Sequence, residues 1–204
     1  MNEQIWWYLA RASGMVAWLF LAVAVIWGLL LSTRLLQERR RPAWLLALHR
    51  WLGGLAVTFT ALHLGGLVAD SYEHFGFREI AVPFASEWRP EAVAWGVVGL
   101  YLLLAIQVTS LLMRHLPRQL WKGVHYLSFL LFFVASMHAA AAGTDASTPW
   151  YRVVATLTIS ITLFTTLYRV LTGSRRKART TRGPGTRTLP DSTLESAAAV
   201  DVGS

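Results

Sequence analysis

The sequence predicts an all-α integral membrane bundle of five transmembrane helices, N-terminus outside and C-terminus inside. Three observations carry that prediction. Hydrophobic residues make up 54% of the 204 residues and the mean hydropathy is +0.43, too apolar for an ordinary soluble domain. Five runs approach the roughly 20 apolar residues that a helix needs to cross hydrocarbon. Charge, finally, alternates between the connecting loops in phase with those runs.

The first run, residues 13–33, is flanked by Arg11 and by Arg34, Arg39, Arg40 and Arg41, with no small-residue cleavage site at its end, so it is expected to be a retained helix and not a signal peptide. The second and third cover residues 45–69 and 92–113. Between them, residues 70–91 exceed a minimal connection and contain Tyr72, His74, Phe75, Phe77 and Phe84; they are expected to form a partly apolar cap lying against the outer face. The fourth and fifth runs cover residues 124–142 and 151–172. From Gly173 onward the chain is rich in Gly, Ser, Thr, Arg and Pro and is expected to be a disordered cytoplasmic tail. The domain division is therefore 1–172 and 173–204.

Orientation follows from the basic residues. Fifteen of the nineteen fall on one side, in residues 34–50, 114–122 and the C-terminal segment. The other side holds Arg11, Arg78, Arg89 and Arg152 with seven acidic residues. A net charge of +8 distributed in this way is a topology signal, not a nucleic-acid footprint. Trp6, Trp7, Trp88 and Trp150 at outer ends, and Trp44, Trp51 and Trp121 near inner ends, match an aromatic belt at the headgroups. Lipid is thus the first partner. The chain has no cysteine, which removes disulfides, iron–sulfur ligation and covalent haem attachment. It also lacks a G-x-G-x-x-G after a strand and a P-loop, and its polar tail is too small for a flavin or nicotinamide domain. Any electrons must come from another molecule.

Four histidines lie inside apolar runs: His49 and His63, 14 apart, then His125 and His138, 13 apart. Ionisable groups at membrane depth are costly, and imidazole is a standard axial ligand of haem iron. On an ideal helix His49 and His63 share a face within about 40° and stand roughly 21 Å apart. Gly53, Ala56 and Thr60 between them make a small-residue groove, which suits a flat macrocycle and equally suits close helix packing. His125 and His138 come out about 140° apart, so local tightening, a distortion between Ser128 and Ser136, or ring rotamers must reconcile them. Phe129 and Phe132 are candidates for an aromatic between two cofactors, or packing residues.

The second and fourth helices run the same way, which puts His49 level with His125 near the inner face and His63 level with His138 near the outer. Arg50 and Lys122 are candidates to meet the propionates of an inner haem, or simply helix-end anchors; Arg11, in YLARASG, is a weaker candidate at the outer site. His74 and His115 fall in polar loops and read as surface residues.

The 14-and-13 spacing, with LHRWLGG around His49, LWKGVHYLSF around His125 and SMHAAAAGTD around His138, resembles the ferric reductase-like transmembrane domain family over about residues 5–172. That family includes the membrane cores of NADPH oxidases and ferric reductases and the haem subunit of periplasmic methionine sulfoxide reductase systems; the flanking strings are similar to those of a stand-alone bacterial branch. The resemblance implies a multi-pass protein of the bacterial inner (plasma) membrane with two non-covalent b-type haems, ligated by His49 with His125 and His63 with His138. It further implies single-electron transfer from a cytoplasmic or membrane donor, a flavoprotein or quinol, to an extracytoplasmic acceptor. Fused oxidases have one more N-terminal helix and a cytoplasmic flavin and nicotinamide module, so this chain reads as an oxidoreductase component and offers no separate catalytic residue. The alternatives are a haem subunit feeding a separate periplasmic reductase and a haem-free transporter or proton pathway.

Overall fold

The computed structural model describes residues 4–32, 43–70 and 75–181. Within these residues the chain is helical, with no strand, and five helices are long and apolar enough to cross a membrane: α1 Gln4–Ser32, α2 Ala43–Ala69, α4 Pro90–Leu111, α5 Arg118–Ala142 and the Pro149–Leu171 part of α6 Pro149–Thr181. The short α3, Phe77–Ala81, lies in the connection between α2 and α4. The all-α membrane bundle expected from hydropathy is what the chain forms. Met1–Arg169 makes one compact unit. Of the second, Val170–Ser204, helical backbone is described as far as Thr181.

Helix limits differ from the apolar runs by more than two residues at three places, the first being α5, which begins at Arg118 and not at residue 124. α1 begins at Gln4, before residue 13, because Arg11 does not end it: the guanidinium is neutralised by Asp145 in the α5–α6 connection. α6 continues past Gly173 to Thr181, where a disordered tail was expected from composition; Arg, Lys and Ala there are good helix formers despite their polarity. Residues 182–204 of that tail, with Arg182 and Arg187, lie outside the described residues, as do Arg34, Arg39, Arg40, Arg41, Tyr72 and His74.

α1 packs along α2 and also against α5, and α4 packs along α5, whereas α2 and α5 are not closely packed on each other. The core sits where α1 meets α5: Trp18, Ala22, Val25, Leu29 and Phe132 are buried together, with Leu21, Phe129, Ala135 and Ala155 against them. Elsewhere large apolar side chains stay exposed, including Leu157, Ile161, Leu163, Phe164 and Leu167 on α6, as fits helices whose solvent is lipid. Every backbone polar group inside a helix is satisfied within it, so such faces carry no hydrogen-bonding cost in hydrocarbon.

The 70–91 connection is pinned to the bundle. Phe75 is buried with Val93 and Val97 and packs edge-on against Trp88. Glu79 caps Gly76 N–H, and the Tyr101 hydroxyl on α4 donates to the Ala81 carbonyl at the end of α3. Arg89, in the left-handed backbone region, lays its guanidinium over Trp88 and donates to the Ala141 carbonyl at the end of α5.

Candidate functional site

The slot between α2 and α5 is bridged by histidines. The His49 and His125 rings lie 6.0 Å apart, centre to centre, with planes at 73°; His63 and His138 lie 6.2 Å apart at 74°. The pairing expected from the sequence is the pairing the fold makes. Two imidazoles that bind one metal through facing nitrogens, with bonds of about 2.0 Å, put their ring centres roughly 6.3 Å apart. Both separations fit that requirement. Among the described residues no three His, Asp or Glu side chains cluster as metal ligands. Each pair therefore offers two protein ligands and suits an iron whose other four positions are supplied by a macrocycle better than it suits a tetrahedral zinc.

The His63–His138 pair opens on a cavity of about 270 Å³. Its walls combine the small residues Gly14, Ala56, Gly96 and Gly99 with Trp18, Leu67 and Leu131, the apolar lining with few polar groups typical of a cofactor site. Ala56 and Thr60, two of the three groove positions on α2, line it; Gly53 instead faces the Gln107 side chain. Phe75, Glu79, Ile80 and Trp88 line the cavity as well, so residues 75–88 of the connection do lie over the His63–His138 pair.

Hydrogen bonding fixes the rings of His63 and His138. His63 Nδ1 donates to the Ala10 carbonyl at 2.6 Å and His138 Nδ1 to the Ala92 carbonyl at 2.8 Å. A carbonyl can only accept, so Nδ1 carries the proton in each and Nε2 keeps the lone pair a metal requires. The other pair differs: Nδ1 of both His49 and His125 is buried without a partner of normal hydrogen-bond geometry, and Trp121 stacks on His125 with centroids 5.2 Å apart.

α5 accommodates the 13-residue spacing without leaving the α-helical form between Arg118 and Ala142. The expected tightening to another helix type is therefore not found. The Ser136 hydroxyl donates to the Phe132 carbonyl at 2.7 Å, a back-bond of the kind that bends helices.

Trp18 is a residue that sequence reasoning missed. It stacks on Phe132 with centroids 6.2 Å apart and its indole N–H donates to Ser136 Oγ at 3.0 Å, midway along α1 and α5 between the two histidine levels. The signal was its place deep inside an apolar run, away from the belt positions that seven of the ten tryptophans occupy. Phe129, one of the two aromatic candidates on α5, packs around this core with Phe132.

The charged candidates divide. Arg50 and Lys122 are exposed and make no ion pair among the described residues. Arg11 is committed to Asp145 through both Nε and Nη2 and lies over the Trp7 ring. Its charge is answered by protein, although both partners line the cavity. His115 is exposed, as a loop residue should be.

No curated protein and no solved structure matches the chain. A family match, described as ferric reductase like transmembrane component, covers residues 13–136 and takes in His49, His63 and His125, with His138 just beyond its end. With more than half of its length matched, and with its helices built as a membrane bundle, the chain belongs to the ferric reductase like transmembrane component family.

Proposed function

We propose that this membrane protein is a di-haem b-type cytochrome that carries single electrons across the bilayer. His49 with His125, and His63 with His138, each hold one haem. The observation that carries the reading is the repetition of one imidazole-to-imidazole separation at two levels of the same slot. Haem held between two imidazoles supplies a one-electron Fe(III)/Fe(II) couple with no open coordination position, which favours transfer over substrate binding.

The protein's own residues do the rest. Ala10 and Ala92 fix the outer imidazole tautomers, the small residues of α1, α2 and α4 leave room for a flat group, and Phe75 and Trp88 keep water from its outer edge. Arg50 and Lys122, exposed beside the inner pair, are placed to meet propionates there. With the basic loops on the cytoplasmic side, the His49–His125 level faces the cytoplasm, the donor, a flavoprotein or quinol, reaches that level first and the acceptor meets the outer one. Chemistry at the acceptor proceeds at the outer edge or in a docked reductase. Bacterial inner-membrane residence follows from the same reading.

Proteoliposomes test it. Haem-loaded protein in vesicles with trapped ascorbate should reduce external ferricyanide, and His63→Ala should bring the rate to that of empty vesicles. A rate in wild-type vesicles no higher than in empty ones would reject transmembrane electron transfer.

A further inference from the structure

We propose that Gly14 and Gly96 are positioning residues: each lies one turn beyond an alanine whose carbonyl it uncovers for the Nδ1–H of a haem-ligating histidine. This rests on the di-haem reading and adds to it a device that sets ligand orientation and basicity. In an α-helix the carbonyl of residue i already accepts the N–H of residue i+4. A side chain at i+4 leans back over the preceding turn and shields that oxygen. Glycine at i+4 removes the shield, and a second donor can approach from outside the helix.

Both outer histidines use that opening. His63 bonds the Ala10 carbonyl four residues before Gly14, and His138 bonds the Ala92 carbonyl four residues before Gly96. A Cβ on Gly14 would stand 2.9 Å from His63 Nδ1, and one on Gly96 would stand 2.8 Å from His138 Cε1 and 2.9 Å from its Nδ1. Neither ring could keep its place. Gly66 adds the approach of the helices themselves, since a Cβ there would meet the Ala10 backbone at 2.8 Å.

The pattern recurs once more and then stops, for a geometric reason. Ala24 and Gly28 stand 14 residues after Ala10 and Gly14 on α1, the interval that separates His49 from His63 on α2, so the two faces repeat together. There the Cβ contact relaxes to 3.2 Å from His49 Cε1, and the Ala24 carbonyl lies near enough to act on His49 as a weak acceptor but makes no hydrogen bond of normal geometry to Nδ1. On α5 the 13-residue step turns His125 about 140° from the face that meets Gly96. At the corresponding level α4 carries Ala105 and Thr109, with the Thr109 hydroxyl on the Ala105 carbonyl at 2.6 Å, and His125 Nδ1 has no partner. Hydrogen bonding from Nδ1–H makes an imidazole more basic and favours the ferric state. The His63–His138 pair thus carries a stronger bias toward Fe(III) than the His49–His125 pair.

The test compares Gly14→Ala, Gly96→Ala, Gly28→Ala and Gly65→Ala in the full-length protein with haem b, reading affinity and the two midpoint potentials. Gly65, whose Cβ would meet nothing within 4 Å, is the control. Gly14→Ala and Gly96→Ala should weaken one haem by about 10- to 100-fold, the usual effect of losing an outer-shell partner, and raise the potential of what remains. Gly28→Ala should change both quantities less, and Gly65→Ala neither. Affinities and potentials equal to the Gly65→Ala control in both outer variants overturn the proposal. Should those variants fail to insert, redox-difference infrared spectra of wild type with ring-labelled histidine decide it: two strongly hydrogen-bonded Nδ1–H ligands against two weakly bonded or free ones support it, and four alike overturn it. A wild type that binds no haem instead rejects the di-haem reading itself.

Discussion

Removing Asp145 should loosen the end of the bundle where α5 passes into α6, at a cost of about 2 kcal/mol. Asp145 is buried, at 8% exposure, in the α5–α6 connection and grips Arg11 of α1 with both carboxylate oxygens. Hydrogen bonds to charged groups contribute about 1.5–3 kcal/mol. The Arg11 side chain keeps 30% of its surface exposed, so solvent reclaims part of that, and about 2 kcal/mol is the expected net loss in Asp145→Ala. For a chain of this length that lowers Tm by roughly 4–8 °C. Arg11→Met combined with Asp145→Leu should recover most of it, because the cost of breaking a buried pair lies largely in the charge left behind. Thermal melts in detergent, followed by tryptophan fluorescence, check both variants. Asp145→Ala melting with wild type, or the double variant melting below the single, would refute the reasoning.

Other outcomes are equally definite. Trp18→Phe keeps the stack on Phe132 but loses the bond to Ser136, so it should retain full haem content and cost about 1 kcal/mol, seen as a small drop in Tm. Truncation after Arg176 should leave the haem spectrum intact, since all four histidines and every cavity-lining residue precede residue 152; loss of haem from the inserted, truncated protein would contradict this. Reporter fusions at residue 204 and within residues 71–91 should report inside and outside respectively, and the reverse result would reverse the electron path.

The four histidines and their pairing were legible because lipid makes ionisable residues rare and helix arithmetic aligns their levels. The cap over the outer pair was legible from Phe75 and the length of its segment. Other features depended on tertiary contact. Arg11 read as a possible propionate partner because Asp145, 134 residues away, could not be placed beside it from sequence. α6 outran the expected boundary because composition registers burial potential, not helix propensity. Gly14 and Gly28 did carry a signal, their 14-residue spacing matching His49 and His63 on the neighbouring antiparallel helix, but it becomes visible only when both helices are aligned.

Haem stoichiometry tests the central claim most directly. Purified protein, assayed by pyridine haemochrome against chain concentration, should contain two b-type haems per chain with low-spin bis-imidazole electron paramagnetic resonance. His63→Ala or His138→Ala should leave one. A wild-type protein with one haem or none, or single variants that still hold two, would contradict the account.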